Sequence, residues 1–132
     1  MAYGLKTNET RSRATAFRGD VVICAAKRPM DIWGFGIWER FKIPVQVHYG
    51  CALCIVELFD CLPSSRFTMH PTVGNVSIVL NHAESDLGDY SPGRWVWRTR
   101  NLRRVKTPVP VVGHQGFWFL PPEAATAIQA QL

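Results

Sequence analysis

Three stretches of the chain carry residue types able to do chemistry. In Gly4-Leu5-Lys6-Thr7-Asn8-Glu9-Thr10-Arg11 a lysine, a carboxylate and a guanidinium fall within six residues. A lysine beside a carboxylate can orient a phosphate or a carbonyl, or act as a base where burial lowers its pKa. If the backbone is extended here, Lys6 and Glu9 point to different faces; at the end of a helix they are neighbours. The plain alternative is a solvated helix end. In Gly88-Asp89-Tyr90-Ser91-Pro92-Gly93-Arg94 two glycines and a proline present Tyr90, Ser91 and Arg94 on a loop. A tyrosine ring can stack on a base and an arginine can clamp a phosphate. A serine hydroxyl can donate a hydrogen bond or, with a base nearby, attack. The third stretch runs from Arg98 to Lys106, where basic residues follow Trp95 and Trp97. Charges that track a backbone beside rings that stack on bases suit single-stranded nucleic acid. Both tryptophans are equally able to fill the core, and that reading is preferred for them.

Charge distribution sharpens the third stretch. The 132 residues carry 15 basic and 10 acidic side chains, a net +5. No acidic residue lies between Tyr90 and Pro122, while Arg94, Arg98, Arg100, Arg103, Arg104 and Lys106 all do. The remainder is close to neutral, so the excess sits in one segment. A surface that only keeps a protein in solution interleaves the two signs, and a concentrated excess favours an anionic partner.

The elements that must position these residues are short strands. VVICAA after Arg18-Gly19 is an apolar, β-branched run of strand length. GCALCIVELFDC, over 50–61, gives the strongest strand pattern, closed by Leu62-Pro63. RWVWRTR alternates large apolar and basic residues, with Trp95 and Trp97 on one face and Arg94, Val96, Arg98 and Arg100 on the other. GFWFL, over 116–120, predicts a final strand before Pro121-Pro122. DIWGFGIWERFKI, over 31–43, has helix-compatible apolar spacing weakened by Gly34 and Gly36. NVSIVLNH reads as a short strand or a turn or two of helix, and ESDLGDYSPG as loop. The whole predicts an α+β fold, a small mixed β-barrel or strongly bent sheet with one or two helices. Residues 1–122 are expected to form the single domain and 123–132 a C-terminal tail.

Other chemistries find less support. Cys51-x-x-Cys54 invites a zinc or redox reading, but no second Cys pair or paired His accompanies it. Cys54 also shares its parity with Val56 and Leu58, so Cys24, Cys51, Cys54 and Cys61 read as reduced, largely buried small hydrophobes. His48, His70, His82 and His114 show no ligand spacing, and neither metal nor cofactor is expected. Hydrophobic residues make up 47%, within the ordinary globular range of about 45–50%, which excludes general disorder. No apolar run has membrane-spanning length and the N-terminus lacks a signal-peptide core. A cytoplasmic location with no membrane partner is expected.

The three stretches together resemble one family. GLKTNETR, residues 4–11, is similar to the G-x-K-x-x-E-x-R signature of the ASCH domain, a β-barrel related to the RNA-binding PUA domains. FRGDVVICAAK, GCALCIVELFDC, DYSPGRWVW and LRRVKTPVPVVGHQGFWFL resemble, in order, that family's later segments, so the likeness covers roughly residues 3 to 120. It implies a cleft with Lys6 on one wall and the Tyr90–Arg94 loop on the other, facing RNA or a nucleotide. Some ASCH proteins hydrolyse acetylated cytidine or RNA. Carried over, Lys6 would be the activating residue or base, Glu9 and Arg11 would orient it and the ligand, and Ser91 or Tyr90 would supply a hydroxyl. Family members begin with a strand and helix before the signature, whereas here Gly4 lies three residues after Met1. Either the fold closes without them, or a second copy covers the exposed sheet edge as a homodimer, or the chain starts short of them.

Two functions follow as expectations. The first is a module binding RNA, other single-stranded nucleic acid or a nucleotide, with Arg11, Arg13, Arg94, Arg98, Arg100, Arg103, Arg104 and Lys106 as its contacts. The second is a metal-independent hydrolase of an acylated nucleoside or of RNA, with Lys6, Glu9, Ser91 and Tyr90 as its catalytic groups.

Overall fold

A computed structural model describes residues 4, 6–25, 50–70, 77–114 and 116–132. The helix expected over 31–43 lies outside them. In chain order the elements are β1 (Asn8–Arg11), β2 (Gly19–Cys24), β3 (Cys51–Pro63), a 3-10 turn (Ser64–Arg66) and β4 (Phe67–Thr68). Then come β5 (Ile78–Val79), α1 (His82–Leu87), β6 (Trp95–Pro110) and α2 (Pro122–Gln129). The fold is mixed α+β and mostly strands. One sheet has the order β1-β6-β3-β2, and β4 and β5 form a separate parallel pair. β1 runs antiparallel to β6, with Asn8 opposite Arg98 and Thr10 opposite Val96. Among the described residues the sheet does not close into a barrel, since β1 and β2 remain its two ends.

The chain folds as two compact units. The first contains residues 3–21 and 56–102, the second 22–55 and 103–132. In the first, Val96 is wholly buried (0% exposed) and clusters with Phe67 and Leu80, against which Leu62, Met69, Ile78 and Tyr90 pack. In β6 Val96 is buried between half-buried Trp95 and Trp97, but Arg98 is half-buried and Thr99 buried, so the expected period-two alternation holds only around Val96. Trp95 and Trp97 are only half-buried, which corrects the expectation that they fill the core. Trp97 instead donates its Nε1 hydrogen to the Arg13 carbonyl at 2.8 Å and carries the Arg11 guanidinium over its ring. Asn101, at φ 56°, is in the left-handed conformation common at bulges and lies within the exposed run Arg100–Leu102.

The second unit is built on Ala52, Ile55, Val109, Val111, Ala124 and Ile128. Two of these lie in α2. The last ten residues, set apart as a tail by composition, therefore supply core side chains, and Gln131 closes the end by exchanging two 2.8 Å hydrogen bonds with the Thr107 backbone. Residues 116–120 make no strand. Trp118 and Leu120 pack on the core while Phe119 is 99% exposed. Alternation is a property of extended, half-buried backbone; it does not require a ladder partner, and Gly116 at φ 73° turns the chain instead. Burial of Cys51 and Cys54 agrees with their reading as small hydrophobes, and burial pushes the Cys54 thiol up to about 11. All four cysteines are free thiols.

Candidate functional site

Both chemistry-bearing stretches of the first unit converge on β1. Its register fixes which backbone groups are available. The Thr99 amide and hydroxyl both donate to the Thr7 carbonyl, so that carbonyl and the Glu9 and Arg11 backbone face β6, and the Asn8 and Thr10 backbone points away. That outward edge is taken by side chains far along the chain. Glu84, 76 residues on, accepts from the Asn8 amide at 3.3 Å, and Arg94 Nη2 donates to the Thr10 carbonyl at 3.1 Å. The edge expected to be open to a second copy is thus occupied at these two groups.

Lys6 and Glu9 do meet: Nζ lies 2.9 Å from Oε2, with the Lys6 side chain only 17% exposed. Glu9 Oε1 also receives Arg11 Nε at 3.2 Å, and the Arg11 guanidinium stands 5.6 Å above the Trp97 ring. Glu9 is therefore bracketed by two cations, and Arg11 is an aromatic-stacked cation of the kind that also stacks on bases. Arg13 is exposed, and its carbonyl accepts from Trp97 Nε1 at 2.8 Å.

The loop after α1 reaches the same strand. Asp89 N donates to Thr10 Oγ1 at 3.0 Å, and Asn8 Nδ2 donates to the Tyr90 hydroxyl at 3.2 Å. Burial raises the Tyr90 hydroxyl above its ordinary 10.0; the Asn8 hydrogen bond opposes this, while the negative charges of Glu84 and Glu9 add to it. At neutral pH Tyr90 is a proton donor, not a base. Ser91 is spent locally: its amide and hydroxyl both donate to Asp89 Oδ1, at 3.0 and 2.6 Å. Those bonds hold the Asp89 carboxyl below its usual 3.8, with Arg94 contributing further. A carboxylate so stabilised is a poor base for activating Ser91. Arg94 is committed in the same way. Its Nη2 holds β1, and its Nε makes a 3.6 Å ion-pair contact with Asp89, beyond hydrogen-bond range.

Arg98 and Arg100 flank one ring. Their guanidinium carbons lie 5.1 and 4.6 Å from the Phe59 centroid. Each also meets an acid of β3: Arg98 reaches Asp60 at 3.4 Å, and Arg100 holds Glu57 through two bonds of 2.7 and 3.2 Å. The acid-free segment seen in the sequence is therefore partly neutralised by carboxylates brought from elsewhere. Arg103, Arg104 and Lys106 belong to the second unit; Arg104 and Lys106 are exposed and Arg103 is half-buried. Beside Lys6 a small cavity of about 90 Å³ is lined by Gly4, Thr7, Val56 and Thr99–Leu102. It is far below the 300 Å³ or so of a site enclosing a whole small molecule. Among the described residues no group of three His, Cys, Asp or Glu side chains is arranged to hold a metal ion.

Glu84 is the residue that composition and motif reading overlooked. ESDLGDYSPG reads as loop, yet His82–Leu87 is helical, with Asn81 as N-cap accepting from the Glu84 amide at 2.8 Å. Asn81-x-x-Glu84 has the spacing of a capping box, and that was the available signal. No protein-family model matches the chain, and comparison with curated proteins finds no match.

Proposed function

We propose that this chain is an ASCH-like, PUA-related module that binds RNA, another single-stranded nucleic acid or a nucleotide in the cytoplasm, using the surface where β1 meets the Tyr90–Arg94 loop. One observation carries the reading. Residues 79 to 84 positions apart, at Asn8–Thr10 and at Asp89–Arg94, are joined by three hydrogen bonds of 3.0 to 3.2 Å, which is not what two unrelated solvated loops would do. Around this junction, guanidiniums stacked on Trp97 and Phe59 offer flat cationic surfaces suited to bases and phosphates.

Hydrolysis is the second reading, and the Lys6–Glu9 pair favours it. The Ser91–Asp89 geometry weakens a serine nucleophile, so this alternative rests on Lys6 and the Tyr90 hydroxyl as a donor.

Fluorescence anisotropy with a mixed-sequence single-stranded RNA, at about 50 and about 200 mM salt, tests the binding reading. Affinity should fall with salt, by a log–log slope of about 0.7 per phosphate contacted. No binding at low salt, or binding indifferent to salt, would overturn it. Incubation with N4-acetylcytidine and with labelled RNA, beside Lys6→Ala, tests hydrolysis: product from wild type and none from the variant supports it, and no product from wild type removes it.

A further inference from the structure

We infer that Glu84 is the positioning residue that places the Lys6 ammonium on Glu9. The inference rests on Lys6 and Glu9 being part of the functional surface proposed above, but its geometry stands independently. Residues three apart on a regular strand point to opposite faces, so Lys6 and Glu9 meet only if the chain departs from strand geometry between them. The departure is at Thr7. An antiparallel pairing with Thr99 would direct both the amide and the carbonyl of Thr7 to β6. Only the carbonyl goes there, accepting from the Thr99 amide and hydroxyl. The Thr7 amide turns instead to Glu84 Oε1 at 2.5 Å, and the Thr7 hydroxyl joins it there at 2.7 Å.

Glu84 Oε2 takes the next amide, that of Asn8. Three donors from two consecutive residues thus converge on one carboxylate that is 6% exposed. A buried carboxylate is tolerable only when its oxygens are satisfied in this way. Thr7 is held from both sides, by Glu84 at its amide and by Thr99 at its carbonyl. The turned backbone brings Lys6 to the Glu9 face. Glu84 itself is rigidly presented, because its own amide is fixed by the Asn81 cap of α1.

Acetylation of lysine amines, read by peptide mass spectrometry, reports on this without any ligand. In folded Glu84→Ala, Lys6 should acetylate several-fold faster than in wild type, with exposed Lys106 unchanged, and Glu84→Gln, which keeps one acceptor oxygen for Thr7, should restore much of the protection. Unchanged Lys6 labelling in a folded Glu84→Ala variant would overturn the inference. Should that variant fail to fold, Thr7→Val, which deletes only the hydroxyl donor, should shift Lys6 labelling in the same direction, and no shift would count against it. A binding cycle supplies the functional arm: Glu84→Ala should weaken RNA affinity in the wild-type background and have no further effect with Lys6→Ala. Equal losses in both backgrounds would show that Glu84 acts elsewhere. Wild type failing to bind RNA would defeat the proposed function, leaving the acetylation result to decide the role of Glu84.

Discussion

Arg100 grips Glu57 across β6 and β3 through two hydrogen bonds, of 2.7 and 3.2 Å, while standing 4.6 Å over Phe59. Arg100 is exposed and Glu57 half-buried, so the pair adds little to stability. Its consequence is functional: the guanidinium is oriented and its charge is already partly answered.

Glu57→Gln should therefore strengthen binding to single-stranded RNA and steepen its salt dependence, by up to about 0.7 in log–log slope if one further phosphate is engaged. Arg100→Ala should act oppositely. Anisotropy titrations across a salt series measure both, and an unchanged slope in Glu57→Gln would place Arg100 outside the interface.

Ser91→Ala removes the hydroxyl that contributes most to holding the Asp89 carboxyl below 3.8. The Asp89 titration midpoint, followed by carbon-detected NMR, should rise while staying below that value, because the Ser91 amide and Arg94 remain. A depressed carboxyl adds stability above its unfolded pKa, and this is lost as pH falls through the folded one. The variant should accordingly lose less stability than wild type when acidified below pH 3.8.

Tyr90→Phe keeps the ring against Phe67, at 5.7 Å between centroids, but leaves the Asn8 side-chain amide without its acceptor. A loss of about 1 kcal/mol is expected in urea unfolding. The Tyr90 hydroxyl titrates above 10.0 in the fold. Its contribution is thus present below pH 10.0 and disappears as pH rises through the folded value, so the difference between wild type and variant should shrink in alkali.

At Gly88 an added Cβ would lie 2.7 Å from Tyr90 Cε2 and 3.3 Å from the Glu84 carbonyl. Gly88→Ala should cost about 1–3 kcal/mol, as overpacking does, because the Tyr90 ring is held by Phe67 and Asn8 and cannot simply swing away. Urea denaturation measures it; a neutral change would mean that the loop gives way at low cost.

Much of this was legible in the chain. The strand core of β3 follows from its apolar run, and the paired faces of β6 from the alternation around Val96, because side-chain period and burial are local consequences of backbone geometry. Three features were not. GFWFL alternates as a strand does but finds no ladder. The α2 helix lies in a segment whose composition reads as a tail, although Ala124 and Ile128 fill a core. Glu84 was hidden inside a segment that composition marks as loop.

By itself the sequence determined the α+β, strand-dominated class, the residue types of the candidate surface and the concentration of basic residues after Tyr90. Each depends on composition or on neighbours a few residues apart. Tertiary structure alone decided which charges remain available and which are spent: Glu57 and Asp60 answer Arg100 and Arg98, Asp89 takes Ser91, and Arg94 holds β1. It alone brought Glu84 to Thr7, and so Lys6 to Glu9. Those contacts join residues dozens of positions apart through hydrogen bonds only a few ångströms long, and no local pattern encodes which distant donor will meet which acceptor.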